Sequence, residues 1–121
     1  MVCFLIADDS LMMRSVVRNY ILQALPDASF VEAGSGEEAV EKFKSEKPNI
    51  AFLDIMMSGM TGVEAAKQIK EYDQAAKVVM CTSMDEEKIR VQTDEIGVSG
   101  YIVKPFRQEE IKNVLSNLGF I

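Results

Sequence analysis

Short apolar runs recur along this chain at intervals of roughly 24 residues, and the stretches between them carry helical period. The runs fall at 2–7, 29–33, 50–53, 77–81 and 99–103. One strand, one helix and two short loops fill such an interval, so five units account for almost all of the 121 residues. Strands alternating with helices build a parallel sheet covered by helices on both faces. The expected fold is therefore α/β, a doubly wound five-stranded parallel sheet with five helices, as one domain over 1–121. A split βαβ sandwich, the runner-up, needs two helices rather than five.

Local signals support the helices. Ser35-Gly36-Glu37-Glu38 and Thr61-Gly62-Val63-Glu64 both fit the capping box. Met13, Val17, Ile21 and Ala24 stripe the first helix, and Ile111, Val114, Leu115 and Leu118 the last. Pro48 and Gly97 fit stops after the second and fourth. The segment 85–96 differs: Ile89, Val91 and Ile96 are its large apolar residues, among five acids. Thin burial predicts weak docking, either as a solvated surface helix or as a helix meant to move.

Composition closes several routes. Nineteen acidic against thirteen basic residues give a net charge of −6, which argues against a nucleic-acid-binding module. The chain has no histidine, so catalytic triads built on histidine and histidine metal ligands are excluded. Apolar runs of about six residues are far below the ~20 that span a bilayer. Residues 1–9 lack the basic start and cleavage site of a signal peptide. Cys3 and Cys81 sit in apolar runs and read as reduced cysteines rather than a disulfide. A cytoplasmic protein without membrane contact is expected.

In an open α/β sheet, ligands bind beyond the carboxyl ends of the strands. The first run ends in Asp8-Asp9, the third in Asp54, the fourth in Thr82-Ser83 and the fifth in Lys104-Pro105. Taken singly, Asp8-Asp9-Ser10 is also a helix cap and Lys104-Pro105 a turn. Together they put three carboxylates, a hydroxyl and an ammonium in one crevice. Two carboxylates about 5 Å apart repel by about 3 kcal/mol at an effective dielectric of about 20. A divalent cation offsets this, and all-oxygen ligands point to Mg2+ or Mn2+ rather than zinc. Phosphate oxygens are the usual extra partners of such an ion, with Lys104 as a second cation and Thr82 as a donor. Asp54 is the natural nucleophile, giving an aspartyl-phosphate, while Asp8 and Asp9 form a metal-holding pair.

These residues resemble the receiver domain of two-component response regulators, and its stand-alone chemotaxis members most of all. The matching motifs are Ala7-Asp8-Asp9-Ser10, Met13-Arg14, Leu53-Asp54-Ile55-Met56-Met57 with Gly59-Met60-Thr61-Gly62, Cys81-Thr82-Ser83, and Tyr101-Ile102-Val103-Lys104-Pro105-Phe106. The resemblance implies a flavodoxin-like strand order of 2-1-3-4-5. It implies that Asp54 accepts the phosphoryl group. Asp9, Asp54 and the Met56 carbonyl would bind Mg2+ directly, and Asp8 through water. Lys104 and Thr82 would contact the phosphoryl group, Tyr101 would turn inward as Thr82 moves, and Lys104–Pro105 would be cis. A face built from the fourth helix, fifth strand and fifth helix would report the state, with Lys88, Arg90, Tyr101 and Lys112 as contacts.

Three departures stand out. Met57-Ser58 replaces the family's usual Met-Pro, which should loosen that loop. Thr61 replaces an Asp or Asn. Met56 and Met84 stand where many relatives are polar. Over the approach to Asp54 they would hinder hydrolytic water and slow self-dephosphorylation; otherwise they pack or face solvent. The protein is thus expected to be a monomeric phosphoacceptor rather than an enzyme. Its donor would be a histidine kinase. Its target would be a flagellar motor switch, or a histidine phosphotransferase if it is a relay intermediate. With the chain ending after the fifth helix, output is expected to lie in a partner. A phosphatase using Asp54 would need a second Asp at position 56, where Met56 stands.

Overall fold

The computed structural model describes residues 2–121. Its elements alternate strictly: β1 Cys3–Ala7, α1 Leu11–Ala24, β2 Ser29–Ala33, α2 Gly36–Glu46, β3 Ile50–Leu53, α3 Gly62–Tyr72, β4 Lys77–Thr82, α4 Glu87–Ile96, β5 Gly100–Val103 and α5 Gln108–Asn117. The strands form one parallel sheet in the order β2-β1-β3-β4-β5. Fold class and strand order are as expected.

The alternation of side chains splits the strands between two cores. Leu5, Leu53, Val78 and Met80 face the layer that α2 and α3 cover. Phe4, Ile6, Phe52, Val79 and Cys81 face the layer of α1 and α5. β3 is buried throughout, which explains its unbroken apolar run. Cys3 and Cys81 are free. Burial pushes the Cys81 thiol up to about 12, which keeps it protonated and inert. Among the described residues no helix is long and apolar enough to cross a membrane.

Helix ends follow the local chemistry with one correction. Ser10, Ser35 and Thr61 each accept an amide hydrogen bond from the first turn of α1, α2 and α3. The return half of each predicted box is missing. Glu38 accepts from the Gly34 amide instead, and Glu64 from the Gln68 side chain. Gly97, with φ 92°, ends α4, and Pro48 follows the left-handed Lys47 that ends α2.

α4 is the exception among the helices. Thr93 is its buried residue, with its hydroxyl donating to the Arg90 carbonyl. Val91, one of its three large apolar residues, is 49% exposed, and Glu86 gives the helix no side-chain cap. Ile89 and Ile96 are half-buried against the α2–α3 layer.

Candidate functional site

Strand register brings the polar residues into one row. Ala7 pairs with Ala33 and Leu53, and Thr82 with Val103. The ladder runs one step further: the Asp8 amide donates to Ala33, Asp54 to Ala7, and Lys104 to Thr82. Asp8, Asp54, Thr82 and Lys104 therefore leave the sheet at one edge.

Carboxylate oxygens of Asp8, Asp9 and Asp54 lie within 4.8 Å of one another. Lys104 Nζ donates to Asp8 Oδ2 at 2.8 Å and to Asp54 Oδ2 at 3.2 Å. Among the described residues, Lys104 is the cation in ion-pair contact with these carboxylates. One ammonium facing three carboxylates leaves an excess of two negative charges. Asp8 and Asp54 are buried, while Asp9 is open to solvent. Burial raises the Asp54 carboxyl above its ordinary value; Lys104 opposes this and the Asp8 charge adds to it. A carboxylate made more basic in this way is also a better nucleophile. Burial pulls Lys104 down, but its hydrogen bond to Asp8 and the two carboxylate charges outweigh that, so it is raised overall.

The donor set suits a small hard cation. Every side-chain donor is a carboxylate oxygen, and two uncompensated charges match a divalent ion. No imidazole exists in the sequence, and the one buried thiol nearby stays protonated.

The surrounding loops are tied down by residues that sequence periodicity does not reveal. Arg14 donates from Nη1 to the Asp8 carbonyl at 2.6 Å and from Nε to Glu32 Oε1 at 2.9 Å. Asp8 Oδ1 accepts from the Ser10 amide, and Asp54 Oδ1 from the Met56 amide. The loop between Asp54 and Thr61, where Met57-Ser58 stands, makes several contacts of its own. Met57 is buried, Ser58 pairs with Ser35 in an isolated parallel bridge, and the Met60 amide donates to Glu37 at 2.7 Å. At Gly62 a Cβ would lie 1.9 Å from the Asp54 carbonyl oxygen, so α3 starts hard against the site.

On the other flank Thr82 is fully buried, and its hydroxyl accepts from the Met84 amide at 3.2 Å. The Tyr101 hydroxyl donates to the Met84 carbonyl. Met84 therefore joins Thr82 to Tyr101, whose ring lies under the Arg90 guanidinium at 4.3 Å. Met56 is 58% exposed and Met84 half-buried. Arg90 and Tyr101 line a shallow groove with Asn113 and Val114 between α4, β5 and α5. Lys88 is exposed on α4. Lys112 is not on that groove: it lines a depression with Gln23 and Ala24, because its place on α5 turns it toward α1. Lys104–Pro105 is cis.

Comparison with known proteins decides the family. The model of the response regulator receiver domain matches residues 4–116. The chain belongs to the response regulator receiver family. The chemotaxis protein CheY of Listeria monocytogenes is 38% identical over 118 residues, covering 95% of this chain and 96% of that one. CheY of Halobacterium salinarum is 36% identical over 114 residues, covering 94% and 93%. Among solved structures, the CheX–CheY–BeF3–Mg2+ complex of Borrelia burgdorferi matches with a TM-score of 0.91 at 27% identity, covering 99% of this chain and 90% of that one. Receivers are phosphoacceptors rather than classical enzymes, and they bind Mg2+ at an acidic site of the kind formed here by Asp8, Asp9 and Asp54.

Proposed function

We propose that this receiver takes a phosphoryl group on Asp54 from a phosphohistidine of a histidine kinase. The observation that carries this reading is the convergence of Asp8, Asp9 and Asp54 with Lys104 bridging two of them. Asp9 and Asp54, with the Met56 carbonyl, would hold Mg2+ directly, and Asp8 through water. Bound there, Mg2+ supplies charge neutralisation for the transferring group. An Asp54 oxygen attacks phosphorus, the phosphorus–nitrogen bond breaks, and the donor imidazole leaves with its electron pair. Lys104 exchanges a carboxylate oxygen for a phosphoryl oxygen.

The readout follows from Met84. When the Thr82 hydroxyl turns to the phosphoryl group it releases the Met84 amide, and the Tyr101 anchor on the same residue is disturbed. The nearly two added negative charges bias a packing equilibrium of the thinly buried α4 rather than building a new fold. The groove at Arg90 and Tyr101 is then the surface a partner reads. The flagellar motor switch of a chemotaxis system is the proposed partner, supported by relatives named CheY at 36% and 38% identity over nearly the whole chain. A cytoplasmic location accompanies this reading.

Incubation with acetyl phosphate and Mg2+ followed by intact-mass measurement tests the chemistry. One phosphate is expected on the wild type and none on Asp54→Ala. An unmodified wild type overturns the proposal. Phosphate lifetime is a second measurement. Met56 lies two residues after Asp54 and Met84 two after Thr82, and neither thioether offers a hydrolytic water a strong hydrogen bond. Met56→Asn with Met84→Glu is expected to shorten the lifetime of phospho-Asp54 by about tenfold, an order of magnitude below the low end of a full general-base effect.

A further inference from the structure

Asp54 and Met56 are carried on a loop that leans on the first turn of α2. Glu37, the second residue of that helix, sends its carboxylate out to the loop and accepts the Met60 amide hydrogen at 2.7 Å. The loop is shaped to receive it. Gly59 has φ 72°, and a Cβ there would lie 2.5 Å from Glu37 Oε2. A Cβ on Gly36 would lie 2.3 Å from the Met60 carbonyl oxygen. The Ser35–Ser58 bridge fixes the same approach one step earlier. Glu37 is exposed, yet the Met60 N–H and its own backbone N–H hold its carboxyl below the usual range, so it is a charged acceptor. Its position in the first turn also places it at the positive end of the helix dipole.

We propose that Glu37 is a positioning residue for the acidic site. Its carboxylate holds residues 56–60 on one path, so the Met56 carbonyl and the Asp54 carboxylate are already aimed when Mg2+ arrives. Without the anchor, loop ordering is charged against ion binding, which lowers affinity. The inference rests on the reading of Asp9, Asp54 and Met56 as the Mg2+ ligands.

The test is calorimetric titration of the metal-free protein with MgCl2. Glu37→Ala is expected to bind Mg2+ about fivefold more weakly than wild type, just under the usual range for partners of metal ligands. Glu37→Gln keeps an oxygen for the Met60 amide and is expected to stay within about twofold. Gly59→Ala breaks the same contact from the loop side and is expected to weaken binding as Glu37→Ala does. Hydrogen exchange of the metal-free protein gives an independent readout: the Met60 amide is expected to exchange faster in Glu37→Ala and at the wild-type rate in Glu37→Gln. Wild-type affinity in Glu37→Ala overturns the proposal, as does equal loss in the Ala and Gln variants, which would indicate a pure charge effect. A wild type that takes up no Mg2+, or takes it up equally well as Asp54→Asn, overturns the site assignment itself and this inference with it.

Discussion

The two flanks of the acidic crevice are built differently. On the β3–α3 side, Met57 is buried, Glu37 and Ser35 hold the loop, and α3 sinks Ala65, Ala66 and Ile69 into the core. On the β4–α4 side, α4 buries Thr93, lacks a side-chain cap and shows Val91 to solvent. The contrast separates two demands. Ion and phosphoryl chemistry needs atoms held in place, since misplacement is costly in rate. A switch needs an element whose packing a single new charge can rebalance. On the proposed function, backbone contacts too close for a side chain would meet the first demand, and the sparse burial of α4 the second.

Glycine substitutions should break this contrast most strongly. Gly62→Ala puts a methyl into the Asp54 carbonyl, a backbone atom that cannot step aside. It is expected to cost about 3 kcal/mol in urea denaturation. Gly97→Ala, at the end of α4, meets only the Lys70 side chain at 3.7 Å and pays for its φ of 92°. About 1 kcal/mol is expected there. Equal costs at the two sites would remove the distinction between a pinned and a loose flank.

Sequence made the scaffold and the reactive groups visible, because both are local. Apolar runs mark strands, and residues at strand ends face one edge in any sheet of this class. The supports stayed hidden. The bond from Met60 to Glu37 spans 23 residues, and that from Arg14 to Glu32 spans 18. No period announces such pairs, and an acid on an exposed turn looks like any solvated acid. The two ion pairs of Lys104, to Asp8 and Asp54, join positions 96 and 50 residues apart. Thr93 is fully buried, yet a threonine does not register as core in an apolar pattern. Counting along a helix also does not say that Lys112 on α5 lines a depression with Gln23 and Ala24 of α1.

The pH response of the metal-free protein tests the pinned flank with a smaller effect. Asp54 is raised in the folded state, so the fold holds its proton more tightly than the unfolded chain does. That stability is present below about pH 4, the ordinary aspartate value, and is lost as pH rises through the higher folded value. Asp54→Asn removes the group. Urea titrations across this window are expected to show wild type losing stability relative to Asp54→Asn as pH rises. Mg2+ should reverse the trend by favouring the ionised carboxylate. Parallel pH curves for the two proteins would mean that the crevice does not strain its own carboxylate.

The smallest expected effect belongs to the loose flank. Glu86 precedes α4 with extended backbone, φ −96° and ψ 137°, but its side chain caps nothing. Serine suits this backbone and can accept an amide from the first turn, as Ser35 does for α2. Glu86→Ser is therefore expected to stabilise α4 by about 0.5 kcal/mol, the low end for a cap. The gain should appear as slower amide exchange confined to 87–96, with the exchange of α3 unchanged. A better-formed α4 also resists repacking, so partner binding by the phosphorylated protein should weaken while phosphorylation of Asp54 proceeds as before. Faster or equal exchange in α4 would show that its looseness comes from sparse side-chain burial alone and not from its uncapped start.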